Sequence, residues 1–435
     1  MRNSLTFTRR NFQSEEKWIV CGIYTLSITL FLMPFPRSWS LYPLALTMCF
    51  GLVSWITDFD YYIKRFRSEI LTLIPLILYF LIHALALIHD FNLNIVIERL
   101  MFILVPVLLF PLLISGQFTE RIKTLLLFYI TGIILIAIYQ FLRASFESIS
   151  IEEGFLTFQH RSSPDSSRFS WTNLSKFENP TYISIKAIWA FTLLLFAQSV
   201  LKIKKTWSFL LGAVLLSFIY LLAARAGFII LFLIIIYFIF YKIKRKFYRI
   251  AFVFLIPFIF FISFSIMRTN ERLNYWSEHV INKISSDDVD WINIEPRTRS
   301  WYSTFNIIKR KPLFGVGLNS RQILAEEHRK QGFNVEADFQ LNSHNQFLET
   351  QLAFGIPGSL ILLWMLINPV AKRKRSWNPD LIIPFLIIVT LSMLFESILV
   401  RQWGIMFFVL FYCILLIPVN SSDQPGETAI QKNPS

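Results

Sequence analysis

The sequence predicts an all-α membrane protein that crosses the bilayer about twelve times and carries one large helical loop on its outer side. Three observations predict this fold class. Of the 435 residues, 54% are hydrophobic and 45 are Phe, and the mean hydropathy is +0.53. The apolar residues form runs of roughly 18 to 22, the length of a helix that crosses a hydrocarbon layer of about 30 Å. These runs lack the period-2 alternation of an outer-membrane barrel.

The twelve predicted spans follow one another along almost the whole chain. They lie at 18–36, 39–57, 70–89, 97–115, 122–142, 181–200, 206–224, 226–241, 249–267, 346–367, 380–399 and 402–418. A basic segment precedes the first span, but no small-residue cleavage site follows it, so we interpret this span as a retained helix rather than a signal peptide. The three Cys lie within spans without metal-ligand spacing and are expected to pack as small apolar groups.

The distribution of Lys and Arg predicts the orientation. With a cytoplasmic N-terminus, the inner loops and both tails hold 22 of the 42 basic residues and the short outer loops hold 9. The rest lie in the outer segment 268–345, which is long enough to be exempt from the positive-inside bias. The net charge of +14 therefore reflects topology and contact with anionic membrane lipids, and nucleic acid is not an expected partner.

This topology divides the chain into four parts. Residues 1–267 hold the first nine spans and an outer loop at 143–180. Residues 268–345 form the large periplasmic loop, 346–418 hold the last three spans, and 419–435 are a cytoplasmic tail. ATP and nucleotide sugars are absent from the outer face of a bacterial membrane. A reaction at that face therefore needs a substrate that arrives activated, such as a lipid-linked diphosphate sugar.

The outer segment between Pro296 and Gly358 concentrates the polar groups that are suited to such chemistry. Arg297 begins a predicted amphipathic helix with Trp301, Phe305 and Ile308 along one stripe. A guanidinium group stays charged and can bind two oxygens of a diphosphate at once. The alternative for this helix is that it rests on lipid with solvated Arg side chains.

His344 lies in NSHNQFLE, directly before the tenth span. Asn342, Ser343 and Asn345 are expected to fix the tautomer of its ring. Because imidazole titrates near neutral pH, such a side chain can take the proton of an attacking sugar hydroxyl. A capping or interfacial role for this His is the alternative.

Arg225 lies in LLAARAGFII between two apolar runs, where we expect the chain to turn and present the side chain at the outer surface. The alternative is an Arg that reaches lipid headgroups. Gly315 and Gly317 are expected to let backbone or substrate approach closely, since no βαβ unit surrounds them. The SSDDVD segment at 285–290 is interpreted as a solvated turn, and no metal or cofactor is expected.

These motifs together resemble the bacterial O-antigen ligase and O-antigen polymerase superfamily. The resemblance rests on an Arg four residues before a Trp, on PLFGVG, on HNQFL followed by Gly355 and Gly358, and on an Arg-Ala-Gly turn between two spans. It covers roughly 215–360 by motif and is closest to an O-antigen ligase. FESILVRQWGIMFF also resembles a late segment of some members, with an acidic and a basic residue at an outer helix end.

The resemblance implies a GT-C-like glycosyltransferase of the all-helical type. Such an enzyme of lipopolysaccharide biosynthesis takes a glycan from undecaprenyl diphosphate at the periplasmic face of the inner membrane. It transfers the glycan without a metal, and with inversion, to a hydroxyl of lipid A-core or another glycan acceptor. Arg225 and Arg297 match the arginines proposed to hold the diphosphate, and His344 matches the proposed base. The residues assigned to substrate binding are Arg299, Asn345, Gly315, Gly317, Glu396 and Arg401.

Two departures and three alternatives accompany this interpretation. Arg299 has no clear family counterpart, and Ala224 stands where the family commonly has Ser before its Arg. An O-antigen or exopolysaccharide polymerase and a protein O-glycosyltransferase use related chemistry with other acceptors. A glycolipid flippase or transporter is disfavoured because no internal repeat is evident and the charges gather at one face.

Overall fold

The computed structural model describes residues 2–88, 90–152, 155–159, 161–163, 166–242, 244, 250 and 296–417. Within these ranges the chain is mainly helical. Helices α1 to α6 are Arg2–Leu32, Arg37–Thr57, Phe59–Ala86, Leu93–Arg99, Met101–Leu108 and Phe110–Leu113. Helices α7 to α12 are Gly116–Glu147, Trp171–Leu174, Pro180–Phe196, Gln198–Leu201, Lys205–Leu222 and Arg225–Lys242.

The second described part begins with three helices of the predicted outer loop and ends with three apolar helices. Helices α13 to α18 are Pro296–Arg310, Ser320–Lys330, Asn334–Asp338, Gln346–Ala371, Ile382–Phe395 and Gln402–Leu416. Short 3-10 turns cover Arg373–Arg375, Pro379–Leu381 and Ile398–Val400. The turn before α18 lies next to α16, which brings residues near 396–401 close to the start of α16.

The described chain is a multi-pass membrane protein. Six helices, α2, α3, α7, α11, α12 and α16, are long and apolar enough to cross a bilayer. Four shorter apolar helices cover Lys17–Leu32, Pro180–Phe196, Pro379–Phe395 and Gln402–Leu416. All ten coincide with predicted spans. The predicted span 249–267 and the segment at 285–290 lie outside the described residues, so twelve crossings remain a prediction.

One predicted span, 97–115, forms the three short helices α4 to α6 instead of one continuous helix. Proline has no backbone N–H and interrupts the hydrogen bonds of a helix. Pro111 would otherwise pair with the carbonyl oxygen of Val107. That oxygen instead accepts a hydrogen bond of 2.8 Å from the indole nitrogen of Trp55 in α2. A side chain of another helix therefore replaces the missing backbone donor.

Two short antiparallel hairpins in the outer loop 143–180 modify the all-α prediction. Strands β1 and β2 are Ile149–Glu152 and Phe155–Phe158, and strands β3 and β4 are Arg161–Ser163 and Ser166–Ser167. In the first hairpin Ile149 is opposite Phe158 and Ile151 is opposite Leu156. These four apolar residues alternate with polar ones, which is the period-2 signal of a strand pair.

Helix α9 lies at the centre of the helix bundle and is buried along almost its whole length. It carries one charged side chain inside the core. The ammonium group of Lys186 contacts both carboxylate oxygens of Glu178 at 2.8 and 2.9 Å and donates to the carbonyl oxygen of Met33 at 3.0 Å. Both side chains of this ion pair are 1% exposed, so neither charge has water as an alternative partner.

The buried ion pair generates a stability prediction. Replacing Glu178 by Ala leaves the Lys186 ammonium group buried without a counter-charge, and we expect the free energy of unfolding to fall by about 3 to 5 kcal/mol. Titration of the purified protein with sodium dodecyl sulfate measures this change. Glu120→Ala is the matched control, because the Glu120 side chain is 68% exposed in its ion pair with Arg121. Equal unfolding midpoints for the two variants would contradict the prediction.

Candidate active site

Helix α13 begins at Pro296, as the sequence predicts, and places Arg297 in its first turn. Proline suits this position because its missing N–H has no partner at a helix start. The buried face of α13 consists of small residues and one Ile, namely Ser300, Ser303, Thr304 and Ile307. Phe305 of the predicted apolar stripe is 48% exposed. The small face lets α13 pack closely on α14 and α16.

The loop after α13 forms backbone hydrogen bonds with α16 at a break in that helix. Gly355 has φ 59° and ψ −150°, which interrupts the helix, and Pro357 cannot donate to the carbonyl oxygen of Ala353. Gly317 N–H donates to that oxygen at 2.8 Å, and Val316 N–H donates to Leu352 at 2.9 Å. In return, Ile356 N–H donates to the carbonyl oxygen of Leu313 at 3.0 Å. The PLFGVG motif therefore pairs with α16 through its backbone.

Gly317 also contacts the chain segment that follows α3. Its φ is +85°, and a Cβ atom there would lie 1.9 Å from a carboxylate oxygen of Asp90. The same oxygen accepts a hydrogen bond of 2.8 Å from Leu318 N–H. Gly315, with φ +69°, lies against the backbone of Ala353. The structure thus shows close backbone packing at Gly315, one of the two roles that the sequence suggests, and close packing against the Asp90 side chain at Gly317.

His344 lies in a turn that is fixed by its neighbours. Its φ is +47°, a left-handed conformation that non-glycine residues seldom adopt, and its N–H donates to the side-chain oxygen of Asn342 at 3.0 Å. The Ser343 hydroxyl donates to Glu349 at 2.7 Å. The side-chain oxygen of Asn345 caps α16 by accepting from Phe347 and Leu348 N–H. The prediction that these neighbours fix the ring tautomer is wrong, because they hold the backbone.

Glu396 contacts the ring of His344 in their place. One oxygen of its carboxylate lies 3.2 Å from Nδ1 of His344, and the other accepts a hydrogen bond of 3.0 Å from Nη2 of Arg297. The Glu396 side chain is 11% exposed, whereas those of Arg297 and His344 are 28% and 27% exposed. A largely buried carboxylate therefore joins two partly accessible groups that lie far apart in the sequence.

Arg299 has a different environment from Arg297. Its Nε donates to a carboxylate oxygen of Glu336 at 2.7 Å, and the Glu336 side chain is 2% exposed. The guanidinium carbon also lies 5.8 Å from the ring centre of Phe333. These contacts join α13 to α15. They give Arg299 a structural role, and the substrate contact that the sequence analysis assigned to it stays a prediction.

Arg225 is the first residue of α12 and is partly buried. Two residues later, a Cβ atom at Gly227 would lie 2.2 Å from the hydroxyl of Ser184 in α9. Helix α12 therefore begins against α9, close to the N-terminal end of that helix.

A cavity of about 440 Å³ lies on the other side of the segment 396–401. Arg401 lines it, together with residues of α3, α4, α16 and the loop before α14. Gln346, in the first turn of α16, forms part of its wall and accepts a hydrogen bond of 2.8 Å from Leu399 N–H. The turn 397–400 thus separates the pair of Glu396 and His344 from this cavity.

Two further histidines, His328 and His83, are packed inside the protein. His328 is buried and bonded to the Ser303 hydroxyl at 2.9 Å, and burial lowers its pKa. His83 is buried beside Tyr79 and Phe354. Among the described residues, no group of three His, Cys, Asp or Glu side chains is arranged to hold a metal ion.

Comparison with known families identifies this region. Residues 210–363 match the family model described as O-antigen ligase. These residues are therefore similar to an O-antigen ligase domain. The match covers about a third of the chain, from α11 through the Gly355 break in α16, and includes Arg225, Arg297 and His344. No protein of curated function matches the chain.

This match confirms the resemblance to the O-antigen ligase superfamily that is drawn from the motifs. It indicates a glycosyltransferase-like ligase of the O-antigen ligase or polymerase type, with glycan and lipid-linked substrates. Glu396 and Arg401 lie beyond the matched residues. Of the three side chains that meet at Glu396, the matched residues therefore contain Arg297 and His344 but not Glu396 itself.

The sequence analysis missed two features of this region, the contacts of Glu396 and the buried position of Arg99. The sequence analysis assigns Glu396 to substrate binding and does not predict that its carboxylate contacts Arg297 and His344. An acidic residue at the end of an apolar helix was the available signal, since such a charge needs a partner. Arg99 was also missed. It lies inside a predicted span and lines the cavity with 4% of its surface exposed.

The contact between Arg299 and Glu336 predicts how substitution of Arg299 changes the stability of the protein. Arg299→Ala leaves the Glu336 carboxylate buried without its partner, and we expect a loss of about 3 kcal/mol in stability. Limited proteolysis of the outer loop and thermal unfolding would measure it. Arg329→Ala is the control, because its ion pair with Asp338 is exposed on both sides. A stable Arg299→Ala protein that has lost donor affinity would instead assign Arg299 to substrate.

Proposed function

We propose that the protein is an O-antigen ligase-type glycosyltransferase at the periplasmic face of the bacterial inner membrane. It moves a glycan from undecaprenyl diphosphate to a hydroxyl of a lipid A-core sugar. One observation carries the proposal: the Glu396 carboxylate contacts both Arg297 and His344. A cation that can bind a diphosphate and a base that can deprotonate a hydroxyl therefore contact the two oxygens of one carboxylate.

The donor half of the reaction uses the arginines. Negative charge develops on the diphosphate as the glycosidic bond to the sugar breaks. A guanidinium group that is already fixed in place stabilises this charge more in the transition state than in the ground state. Arg297 is held by Glu396 in the first turn of α13, and Arg225 begins α12 on the neighbouring side of α9. In the proposal these two cations replace the divalent metal that soluble glycosyltransferases use.

The acceptor half of the reaction uses His344. When Nδ1–H of the neutral ring donates to Glu396, Nε2 has a free lone pair. Nε2 takes the proton of the acceptor hydroxyl while the oxygen forms a new bond to the anomeric carbon. The bond from that carbon to the diphosphate breaks, and undecaprenyl diphosphate leaves. Attack opposite the leaving group inverts the anomeric carbon. The Glu396 carboxylate stabilises the imidazolium that forms.

A transfer assay tests this function. Purified protein in detergent is incubated with an undecaprenyl-diphosphate glycan and with one of three acceptors, in the presence of EDTA. The acceptors are a lipid A-core glycolipid, a second lipid-linked glycan and a peptide with Ser and Thr. Mass gain of the glycolipid, with an inverted linkage by NMR, is the expected result. Product only with the second lipid-linked glycan would establish a polymerase, and product only with the peptide would establish a protein glycosyltransferase.

The assay also carries a prediction for the two groups joined by Glu396. We expect His344→Ala and Arg297→Ala each to abolish detectable transfer, since a general base alone contributes about 100- to 10,000-fold. Membrane insertion should be unchanged. Arg310→Ala, at the other end of α13 and largely exposed, is the control that retains activity. A fully active His344→Ala enzyme would remove the base from the mechanism.

Glu396 is a positioning residue in this scheme, and its substitution has a distinct signature. We expect Glu396→Gln to lower kcat about 100-fold or more, because an amide does not stabilise an imidazolium and can favour the wrong tautomer. The KM for the acceptor should stay within about threefold. Glu396→Asp, which keeps the charge, should recover part of kcat. A fall in thermal stability that explains the whole loss in both variants would contradict the positioning role.

A further inference from the structure

The cavity beside the turn 397–400 carries an excess of positive charge that the proposed reaction does not use. Its volume of about 440 Å³ is in the range of small-ligand sites. Six charged residues line it: Arg37, Arg99, Arg321, Arg401, Glu98 and Glu349. Four guanidinium groups against two carboxylates leave an excess of two positive charges.

Arg99 shows that the cavity is built for a polar ligand. It is 4% exposed, and one of its Nη atoms contacts the partly exposed Glu98 at 3.2 Å. Its buried Nε has no hydrogen-bond partner among the described residues. Gln402 and Trp403, which line the same cavity, likewise each have one buried polar atom without a partner in the described part of the chain. A buried guanidinium group with an unused donor is costly unless a ligand completes it.

The other three arginines reach the cavity from separate elements. Arg37 begins α2, Arg321 lies in the first turn of α14, and Arg401 precedes α18. All three are exposed, and none forms an ion pair with a carboxylate among the residues that the structure describes. Surface arginines free of carboxylates are available to an anion, and the fork of a guanidinium group matches two phosphate oxygens.

The position of the cavity relates it to the second substrate of the reaction. His344 is two residues from Gln346, which lines the cavity wall. Leu399, three residues after Glu396, also lines the cavity and donates its N–H to the Gln346 side chain. The cavity therefore adjoins the two chain segments that carry His344 and Glu396.

We propose that this cavity binds a phosphate group carried by the acceptor glycolipid. An excess of two positive charges matches a phosphate monoester, which carries about −1.5 to −2 near pH 7, better than the single charge of a carboxylate. Binding the phosphate would anchor the acceptor while one of its hydroxyls reaches His344. This assignment to the acceptor rests on the proposed function. The presence of an anion site rests on the cavity alone.

The test measures binding without transfer. Full-length protein is placed in nanodiscs of phosphatidylcholine, and three probes are titrated: lipid A with two phosphates, the same lipid A after phosphatase treatment, and farnesyl diphosphate as a donor headgroup. The cavity variant is Arg37→Gln with Arg321→Gln, since both side chains are exposed and can be changed without uncovering a buried charge. The control is Arg329→Gln with Lys330→Gln, which removes the same charge from the far end of α14.

We expect the unaltered protein to bind phosphorylated lipid A at least about 10-fold more tightly than the dephosphorylated form. The cavity variant should lose that difference and keep its affinity for farnesyl diphosphate, and the control should match the unaltered protein. Equal binding of the two lipid A forms, or equal losses in variant and control, would overturn the proposal. A loss confined to farnesyl diphosphate would also overturn it and assign the cavity to the donor.

The two proposals fail separately in this design. A protein that discriminates between the lipid A forms as expected, but transfers no glycan to any acceptor, counts against the reaction and leaves the anion site in place. A protein that transfers glycan but shows no phosphate preference counts against the cavity assignment and leaves the reaction in place.

Discussion

A constraint of the membrane governs this structure: a backbone group within hydrocarbon must find its hydrogen-bond partner inside the protein. Two proline-containing breaks illustrate it. The carbonyl oxygen of Val107 is satisfied by the Trp55 indole, and those of Leu352 and Ala353 are satisfied by the loop at 316–317. The second break joins the polar segment that follows α13 to α16, the helix that begins directly after His344 and Asn345.

Within this frame, the charges are organised around Glu396. A single carboxylate balances a guanidinium group and orients an imidazole, so the two groups are positioned relative to each other before any substrate binds. Preorganisation of this kind lowers the reorganisation needed during a reaction. The Lys186 and Glu178 pair solves a different problem, since both of its charges are fully buried and contact only protein.

Much of this arrangement could be predicted from local sequence. Apolar runs located ten helices, and a Pro before Arg297 located the start of α13, because both signals depend on neighbouring residues. The role of Glu396 could not be predicted, since it depends on how α17 packs against a residue 52 positions earlier. Similarly, the sequence does not distinguish the environments of Arg297 and Arg299. They differ because Glu336 contacts Arg299 in the folded chain. The hairpins at 149–167 had a readable alternation, but short apolar strands are hard to separate from the flanks of a spanning helix.

The distance along the chain between His344 and Glu396 affects the order in which the site forms during synthesis. Arg297 and His344 emerge from the ribosome before the carboxylate that joins them, because α16 and α17 are synthesised in between. A nascent chain that ends before Glu396 therefore lacks both the counter-charge of Arg297 and the partner of the imidazole. The three groups can meet only after α17 has been synthesised.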